Sequence, residues 1–335
     1  MGEQAAFVKA LVTGGGGFLG RAIIEQLLAR GDRVRSFSRA SYPDLSARGV
    51  ELVQGDIADP SAVLRAVEGC ELVFHVAAKA GLWGPAKDFF NANVTGTENV
   101  IRACEQGGII RLVYTSSPSV VFNGRDMKGV DETVPYAREY HAHYPRTKAL
   151  AERRLLAANS GQLATVALRP HLLWGPHDTQ LTKSILARGR AGTLVRIGKR
   201  DPLVDFTYVE NAASAHLLAA DKLRPGASIS GRAFFISQDE PVPLWRFIDR
   251  LLEAGSLPPV RRVISPRLAY AAATVLEFLY SVLPLKGEPR LTRFLAQELC
   301  TAHWFRIEAA KRELGYAPIV SIEEGLRRLR SSLLS

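Results

Sequence analysis

The 335-residue chain contains little cysteine and no cysteine cluster. Its three cysteines, Cys70, Cys104 and Cys300, are widely spaced and odd in number, so they cannot form a closed disulfide framework. The sequence has no Cys-x-x-Cys pair and no Cys/His cluster, which argues against a structural zinc site. We therefore predict structural thiols, no metal ion, and a reducing compartment, most simply the cytoplasm.

The sequence also lacks a signal segment and a long uninterrupted hydrophobic run. Residues 1–6 are polar and lead directly into an apolar strand, which predicts no signal peptide. The longest apolar stretch, 268–283, is interrupted by Glu277 and falls short of the ~20 residues that span a bilayer. Three interpretations stay open for it: a buried helix, a lid over a long-chain substrate, or a shallow contact with a membrane or partner.

The net charge of +10 arises from 43 basic and 33 acidic side chains. The basic residues are scattered through helical patterns and do not form a stripe, which is typical of a solvated surface. We predict no nucleic-acid partner. A preference for anionic ligands or acidic partners would agree with the charge, which does not by itself establish either.

The first half of the chain alternates short apolar runs with helical patterns, which is typical of βαβ units and a parallel sheet. Leu19, Ile23 and Leu27 recur every fourth residue and mark one face of a first helix that ends near Gly31. Strands are predicted at Val8–Val12, Arg33–Ser38, Val50–Gln54, Glu71–Val76, Arg111–Ser116 and Leu163–Arg169. The further helices are predicted at Pro60–Glu68, Asp88–Gln106 and Tyr140–Ser160.

After Pro170 the elements become shorter and glycine and proline more frequent. We therefore predict an α/β fold, with a doubly wound parallel sheet of the Rossmann type and a smaller mixed C-terminal lobe. Residues 1–170 would form the nucleotide-binding sheet domain, rejoined by residues 204–222. Residues 171–335 would mainly form the substrate-binding lobe.

A glycine-rich turn connects the first strand to the first helix. Gly14, Gly17 and Gly20 are spaced GxxGxxG, and Phe18 and Leu19 open the helix. Glycine permits a tight turn, and the free N–H groups of a helix N-terminus bind a pyrophosphate. A glycine run alone would also suit an ordinary turn, but its place after the first strand predicts a dinucleotide site.

The second strand ends at Ser38 and Arg39 without the acid that NAD-preferring sites usually offer to the ribose 2′-hydroxyl. The nearest acid, Asp44, lies beyond a Ser-Tyr-Pro turn. A hydroxyl followed by a guanidinium suits a 2′-phosphate, so NADP(H) is predicted, with an ordinary surface arginine as the alternative for Arg39.

Two further strand ends supply candidate cofactor contacts. Asp56 and Ile57 follow the third strand, where the carboxylate would accept from the adenine amino group. Helix capping is the alternative use of the nearby Asp59. Ala77 and Ala78 follow the fourth strand, and their small side chains would let the cofactor approach the backbone.

Tyr144 and Lys148 form a Tyr-x-x-x-Lys pair, which places both side chains on one helix face. A nearby ammonium lowers the tyrosine pKa from about 10, so the phenol can donate a proton to a carbonyl oxygen. A hydroxyl-rich strand end, Ser116 to Ser119, precedes the pair. We expect Ser117 to orient the carbonyl, with Ser116 and Ser119 as alternatives.

As a set, these motifs resemble the extended short-chain dehydrogenases, and within them the 3β-hydroxysteroid dehydrogenase-like branch. The resemblance also covers Asn93–Thr97 and Arg169–Pro170 and extends over nearly the whole chain. It implies that Asn93 stabilises the active-site helix or a water-linked proton path. It also implies that Pro170 packs beside the nicotinamide.

Three stretches, 77–84, 169–176 and 290–295, look most like the reductases of bacterial long-chain olefin biosynthesis. That resemblance implies reversible, NADPH-dependent reduction of the 3-keto group of a hydrophobic 2-alkyl-3-keto acid. It implies as partners a thiolase-like condensing enzyme, a β-lactone synthetase and a β-lactone decarboxylase, and a homo-oligomer is expected. A steroid or sterol dehydrogenase, a nucleotide-sugar epimerase and a non-catalytic NADPH sensor are the alternatives.

Overall fold

The computed structural model describes residues 8–283, 285 and 287–334. Its main feature is a seven-stranded parallel sheet with the strand order β12-β7-β5-β4-β1-β2-β3. This confirms the predicted doubly wound fold. The strands of the sheet are β1 (Lys9–Thr13), β2 (Arg33–Ser38), β3 (Glu51–Gln54), β4 (Leu72–His75), β5 (Arg111–Thr115), β7 (Ala164–Pro170) and β12 (Arg232–Ile236).

Helices cover both faces of the sheet, so its central strands are apolar on both sides. Ala10, Leu11 and Val12 of β1 are completely buried, as parallel strands between two helical layers require. The helices of this part of the chain are α1 (Phe18–Ala29), α2 (Pro43–Ser46), α3 (Pro60–Val67), α4 (Ala86–Phe89), α5 (Gly96–Gln106), α6 (His143–Ala157), α7 (Leu181–Arg190) and α8 (Val209–Lys222).

The strand order reverses between β1 and β4, which are neighbours in the sheet although β2 and β3 lie between them in sequence. Doubly wound sheets bind ligands at the carboxyl ends of the strands beside such a reversal. The fold therefore brings the turn after β1 and the ends of β2, β4 and β5 to one edge.

Three local features differ from the sequence interpretation. The helix expected over Asp88–Gln106 contains a π-helical segment, Phe90–Thr95, between α4 and α5. The helix expected from Tyr140 begins only at His143. The strand Arg232–Ile236 was not expected at all, although it pairs with β7 along its whole length.

The remaining elements form the smaller lobe, and the division of the chain at residue 170 stays a prediction. Four of its strands form a mixed sheet in the order β13-β10-β15-β6. A core that includes Trp174, Phe206 and Phe247 lies beside this sheet. The strands outside the main sheet are β6 (Met127–Val130), β8 (Leu173–Trp174), β9 (Arg196–Ile197), β10 (Leu203–Val204), β11 (Thr207–Tyr208), β13 (Val242–Pro243), β14 (Val263–Ile264) and β15 (His303–Phe305). The later helices are α9 (Leu244–Ala254), α10 (Pro266–Val282), α11 (Arg293–Glu298) and α12 (Ile322–Leu334), and residues Ala310–Leu314 form a second π-helical segment.

Helix α10 contains the apolar stretch discussed above, and it is not a core helix. Only Ala269, Ala273 and Glu277 on it are buried, whereas Phe278 is 63% exposed. Within the described part of the chain, no helix combines the length and apolarity needed to cross a membrane.

Candidate active site

The turn between β1 and α1 has the geometry of a dinucleotide cradle. Gly14 has a positive φ of 69°, and a Cβ there would lie 2.9 Å from the backbone of Ala77. A Cβ on Gly20 would lie 2.3 Å from the carbonyl oxygen of Gly14. Gly17 is the N-cap of α1 and has no side chain to occupy the free N–H groups of Phe18 and Leu19. These groups fit an anionic pyrophosphate.

The end of β2 is open toward a second anionic group. The Ser38 hydroxyl oxygen is buried and has no hydrogen-bond partner among the described residues. The neighbouring Arg39 is exposed, and the described residues include no ion-pair partner for its guanidinium. Asp44 is paired with Arg21 and is therefore occupied elsewhere. The end of β2 therefore offers a hydroxyl and a guanidinium, and no unpaired acid, to a bound dinucleotide.

Asp56 and Asp59 have separate positions after β3. Asp59 is the N-cap of α3, where its side chain accepts from Ser61 N at 2.9 Å. Asp56 is exposed, and its side chain accepts from the nearby Ala58 N–H at 2.9 Å. Ile57 beside it is buried and packs against Gly96.

The end of β4 is held by a buried chain of hydrogen bonds. The backbone N–H groups of Val76 and Ala77 both donate to Thr13 Oγ1 at 3.2 Å. His75 bridges Thr13 Oγ1 at 2.8 Å and Thr97 Oγ1 at 2.9 Å. This fixes the backbone of Ala77 beside Gly14, while Ala78 is exposed at the edge.

Ser117 and Tyr144 are brought together by the fold. Burial raises the pKa of the Tyr144 phenol overall, contrary to the lowering expected from the sequence; interaction with the Ser117 side chain lowers it, and the charge of Glu298 raises it. Ser117 Oγ also accepts from the Ser119 backbone N–H at 3.2 Å and lies 3.0 Å from Ser119 Oγ. Of the three serines considered, Ser117 is therefore the one in contact with Tyr144.

Lys148 lies one turn after Tyr144 and is almost completely buried. Its ammonium donates to the Thr115 carbonyl oxygen and sits 4.1 Å from the centre of the Tyr114 ring. Burial lowers the pKa of Lys148 to about 7, and the negative charge of Glu152 opposes this effect. The ammonium is thus held at the carboxyl end of β5.

Asn93 belongs to the π-helical segment and joins two parts of the site. Its amide pairs with the Lys79 backbone, accepting from N at 2.7 Å and donating to O at 3.1 Å. It also donates to Thr147 Oγ1 of α6 at 3.0 Å. Asn93 therefore connects the loop after β4 to the helix that carries Tyr144 and Lys148.

A buried ion pair behind Lys148 was missed from the sequence. Arg169 donates to both Glu152 oxygens, at 3.0 and 2.5 Å, and Tyr136 Oη donates to Glu152 at 2.6 Å. Although burial alone raises the pKa of Glu152, the charge and hydrogen bonds of Arg169 lower it overall. The detectable signal was the helical spacing of Tyr144, Lys148 and Glu152, each four residues apart.

Beyond Pro170, the predicted neighbour of the nicotinamide, the chain adds polar groups that the sequence analysis did not single out. Pro170 ends β7. The next residue, His171, hydrogen-bonds through Nε2 to Nδ1 of His303 in β15, at 2.6 Å. Burial raises the pKa of Glu298, the last residue of α11, to about 8. Its carboxyl is close enough to influence the Tyr144 phenol. No cluster of metal-binding side chains occurs in the described residues.

Comparison with known proteins gives three consistent likenesses. Residues 11–264 match the model of the 3-beta hydroxysteroid dehydrogenase/isomerase family. A Stenotrophomonas maltophilia protein named 2-alkyl-3-oxoalkanoate reductase is 52% identical over 97% of this chain and 99% of its own length. A Shewanella oneidensis protein of the same name is 48% identical over 97% of this chain and 86% of its own length.

Among solved structures, a UDP-glucose 4-epimerase from Thermus thermophilus, in complex with NAD, superposes with a TM-score of 0.74. It is 23% identical and covers 98% of this chain and 99% of its own. At this identity the likeness concerns the fold, which is a nicotinamide-dinucleotide-binding fold in that protein.

Proposed function

This chain belongs to the 3-beta hydroxysteroid dehydrogenase/isomerase family of oxidoreductases acting on hydroxyl and keto groups, and we propose that it is a ketone reductase. The proposed substrate is a long-chain 2-alkyl-3-oxoalkanoate, whose 3-keto group is reversibly reduced to the 3-hydroxyl. NADPH is the proposed cofactor.

The observation that carries the choice of substrate is the 52% identity to the Stenotrophomonas reductase, spread over both chains almost end to end. The identity therefore includes the small lobe, where a substrate would lie. A likeness confined to the sheet would support only the cofactor.

In this proposal three side chains perform the proton chemistry. Tyr144 donates its phenolic proton to the carbonyl oxygen, and Ser117 holds that oxygen by a hydrogen bond. Lys148 stabilises the phenolate left behind, because an adjacent positive charge favours the ionised form. When bound, the nicotinamide supplies the hydride to the carbonyl carbon. One hydride and one proton convert the ketone to the alcohol.

The proposed preference for NADPH rests on the end of β2. Arg39 has no ion-pair partner among the described residues, the Ser38 hydroxyl is unsatisfied, and Asp44 is paired with Arg21. A 2′-phosphate would satisfy the first two groups. The glycine cradle supports a dinucleotide in either case.

A steroid or sterol dehydrogenase is the second candidate, because the family's name comes from hydroxysteroids. It would use the same three side chains on a rigid polycyclic ketone. The epimerase and sensor alternatives have weaker support. The second strand lacks an acid for a retained NAD, and the catalytic pair is intact.

The proposed reaction also implies neighbours in a reaction sequence. A condensing enzyme must join two acyl chains to make the keto acid, and an activating enzyme must consume the hydroxy acid. A thiolase-like condensing enzyme, a β-lactone synthetase and a β-lactone decarboxylase would fill this sequence. A homo-oligomeric state is part of the same proposal.

The decisive experiment measures NADPH oxidation with 2-alkyl-3-keto acids, 3-ketosteroids and UDP-sugars offered separately. Turnover of the keto acids is expected, and Tyr144→Phe is expected to lower it by about 10²-fold or more. Turnover of steroids alone would overturn the proposed substrate. Full activity in Tyr144→Phe would instead remove Tyr144 as the proton donor.

A further inference from the structure

Glu298, the last residue of α11, carries a carboxyl group that the proposed chemistry does not use. Its backbone carbonyl oxygen accepts from His303 Nε2 at 3.0 Å. Its side chain has no hydrogen-bond or ion-pair partner among the described residues. A carboxyl group that protein surrounds is normally paired or hydrogen-bonded, so one without a partner calls for a functional explanation.

Two aromatic contacts place the end of α11 at the active site. Phe294 lies one helical turn before Glu298 and on the same face of the helix. It packs edge-on against Phe122, with 5.7 Å between the ring centres, and His303 contacts the same ring at 6.2 Å. Phe122 belongs to the loop after β5, which begins with Ser117. The face of α11 that carries Glu298 therefore packs on the loop that carries Ser117.

Glu298 and Tyr144 line the same cleft. Protein atoms surround both side chains, yet both keep a partial exposure to solvent. The charge of the Glu298 carboxyl acts on the Tyr144 phenol, so the two groups lie within electrostatic range of each other. The cleft therefore contains a second acid beside the Tyr144 phenol and the Ser117 hydroxyl.

The surroundings of Glu298 keep its carboxyl group neutral. Burial raises the pKa of this group to about 8. At neutral pH the carboxyl therefore holds its proton and can donate a hydrogen bond, which an ionised carboxylate cannot do.

The charged and titratable groups around α11 do not offset this effect of burial. Burial keeps both nearby histidines uncharged at neutral pH, and the two nearby ion pairs are complete in themselves. The groups are Tyr144 and Lys148 on α6, His171 and His303 at the end of α11, Cys300 after it, Tyr270 and the Glu277–Arg293 pair toward α10, and the Asp126–Arg200 pair beside Ala302.

The keto oxygen of the substrate has no room for a third donor. In the proposed reaction this oxygen receives hydrogen bonds from Tyr144 and Ser117, which use both of its lone pairs. Another donor in the same cleft must meet another acceptor of the substrate. In a 3-keto acid that acceptor is the carboxylate, whose carbon is two bonds away from the carbonyl carbon.

We propose that Glu298 binds the carboxylate of the substrate by donating its carboxyl proton in a hydrogen bond. The two carboxyl groups then share one proton and one negative charge, in a short, charge-assisted O–H···O⁻ bond. A 3-ketosteroid without a carboxyl group cannot make this bond, so Glu298 favours keto acids. The inference rests on the proposed function, because it requires a substrate with a carboxylate.

This mode of binding depends on pH. Two ionised carboxylates repel each other at hydrogen-bond distance, so the substrate acid binds only while Glu298 is protonated. With a pKa of about 8, the loss of this proton should weaken binding of the acid about thirtyfold between pH 7 and pH 9.5. A methyl ester meets no such repulsion and should weaken by about threefold at most.

The test measures binding of a 2-alkyl-3-hydroxy acid and of its methyl ester to the NADPH-loaded protein at pH 7, 8, 9 and 9.5. Product and reduced cofactor cannot react with each other, so the dissociation constant is obtained without turnover. Glu298→Gln keeps a donor but cannot ionise. The ratio of the dissociation constant in the parent to that in Glu298→Gln should therefore rise about thirtyfold for the acid over this range. The ratio removes the titration of Lys148, which occurs in both proteins.

Two further variants complete the experiment. Glu298→Ala removes the donor, and at pH 7 it should weaken binding of the acid by about tenfold or more and binding of the ester by about threefold. This variant also serves if Glu298→Gln does not fold. Glu308→Gln is the matched control, because Glu308 is an exposed carboxyl group on the surface. Its dissociation constants should equal those of the parent at every pH.

A ratio for Glu298→Gln that stays constant with pH would overturn the proposal, and so would equal effects on the acid and the ester. The same holds if Glu298→Gln binds the acid as the parent does but loses turnover of keto acid and keto ester alike, since Glu298 would then act on the Tyr144 proton. A parent protein that oxidises NADPH with ketosteroids and not with 2-alkyl-3-keto acids would instead contradict the proposed reaction. The two failures are therefore distinguishable.

Discussion

At the residue scale, Lys148 owes its charge state to a balance between burial and one negative neighbour. Burial lowers its pKa to about 7, and Glu152 raises it. Glu152 in turn stays ionised because Arg169 is paired with it. In the proposed reaction, the positive charge that would assist Tyr144 thus depends on the buried Glu152–Arg169 ion pair. We regard Glu152 as a positioning residue.

The first prediction concerns Glu152→Gln. Loss of the negative charge should lower the pKa of Lys148 further, because the remaining effect of burial disfavours the ammonium. In the kcat/KM profile of the free enzyme, the decline on the alkaline side should therefore begin at a lower pH. An unchanged profile would contradict the role of Glu152.

The control for this variant is Tyr136→Phe. It removes the hydrogen bond to Glu152 but keeps the carboxylate and its pairing with Arg169. Its pH profile should match that of the unaltered protein. Both variants should lower the free energy of unfolding. Glu152→Gln should lower it by about 3–5 kcal/mol, because the Arg169 charge stays buried without its partner. Stability alone would therefore not distinguish the two variants.

The second prediction concerns Arg39→Asp. A carboxylate at this position would repel a 2′-phosphate and accept from a ribose 2′-hydroxyl. The ratio of kcat/KM for NADPH to that for NADH should fall by about 10²-fold, since about 1–3 kcal/mol of charged hydrogen bonding is lost. The control is Arg48→Asp, because Arg48 is exposed and bound to Glu25 of α1. Equal ratios in both variants would remove Arg39 from the cofactor site.

At the element scale, the π-helical segment between α4 and α5 explains how Asn93 reaches two partners. The segment adds a residue to the turn and re-aims the Asn93 side chain. Its amide then pairs with the Lys79 backbone on one side and with Thr147 of α6 on the other. The sequence predicted a helix over this span, but helical periodicity does not reveal one widened turn.

The third prediction concerns Asn93→Ala. The variant leaves the Lys79 N–H and C=O without their partner, which should cost about 2–4 kcal/mol of unfolding free energy. It should also lower kcat, because α6 loses its connection to the loop after β4. Thr147→Val keeps the Asn93 contacts with Lys79 and serves as the comparison; it breaks the connection of Asn93 to α6, together with the Thr147 hydrogen bonds to the His143 and Tyr144 carbonyl oxygens within that helix. If Thr147→Val keeps full kcat while Asn93→Ala loses it, Asn93 acts through the loop and not through the helix.

At the scale of the whole molecule, the elements that could be predicted from the sequence are those that a local residue pattern encodes. Strands β1 to β5 and β7 were predicted within one or two residues, since each is a short apolar run between turns. Strand β12, Arg232–Ile236, escaped notice because its membership in the sheet depends on pairing with β7 across more than sixty residues. The buried pairing of Glu152 with Arg169 is non-local for the same reason.

Exposure was the other property that the sequence did not reveal. The stretch 268–283 is apolar enough for a core helix, yet only a narrow stripe of α10 is buried. Whether an apolar helix is covered depends on the surfaces around it. Periodicity could not distinguish the three interpretations that were open for this stretch.

The whole molecule also buries several histidines in the neutral form. Burial lowers the pKa of His75 to about 3 and that of His216 to about 4. His216 Nδ1 donates to the Ala212 carbonyl oxygen at 2.7 Å, so its Nε2 accepts from Thr115 at 2.8 Å. Burial disfavours a second proton on this ring. The residue connects α8 of the returning chain to the end of β5, next to Ser116 and Ser117.

The fourth prediction follows from the sign of that shift. In the unfolded chain His216 binds a proton near pH 6.5, whereas in the folded chain it does so only near pH 4. Its contribution to stability is therefore complete above pH 6.5 and is lost as pH falls toward 4. His216→Gln should be less stable than the unaltered protein at pH 7.5, and the gap should narrow by about 2 kcal/mol at pH 5.

The stability of the variant must be compared with that of the parent at each pH. The reason is that Asp205 and Glu298 change the stability of the fold in the opposite direction to His216 over the same pH range. Burial raises the pKa of Asp205 to about 7 and that of Glu298 to about 8, so both stabilise the fold more as pH falls. They contribute equally to the variant and the parent and cancel in urea unfolding at each pH. The control His141→Gln changes an exposed histidine and should leave the stability at pH 7.5 nearly unchanged. A gap of constant size in His216→Gln would mean that the buried ring carries a proton in the folded protein, contrary to the effect of its burial.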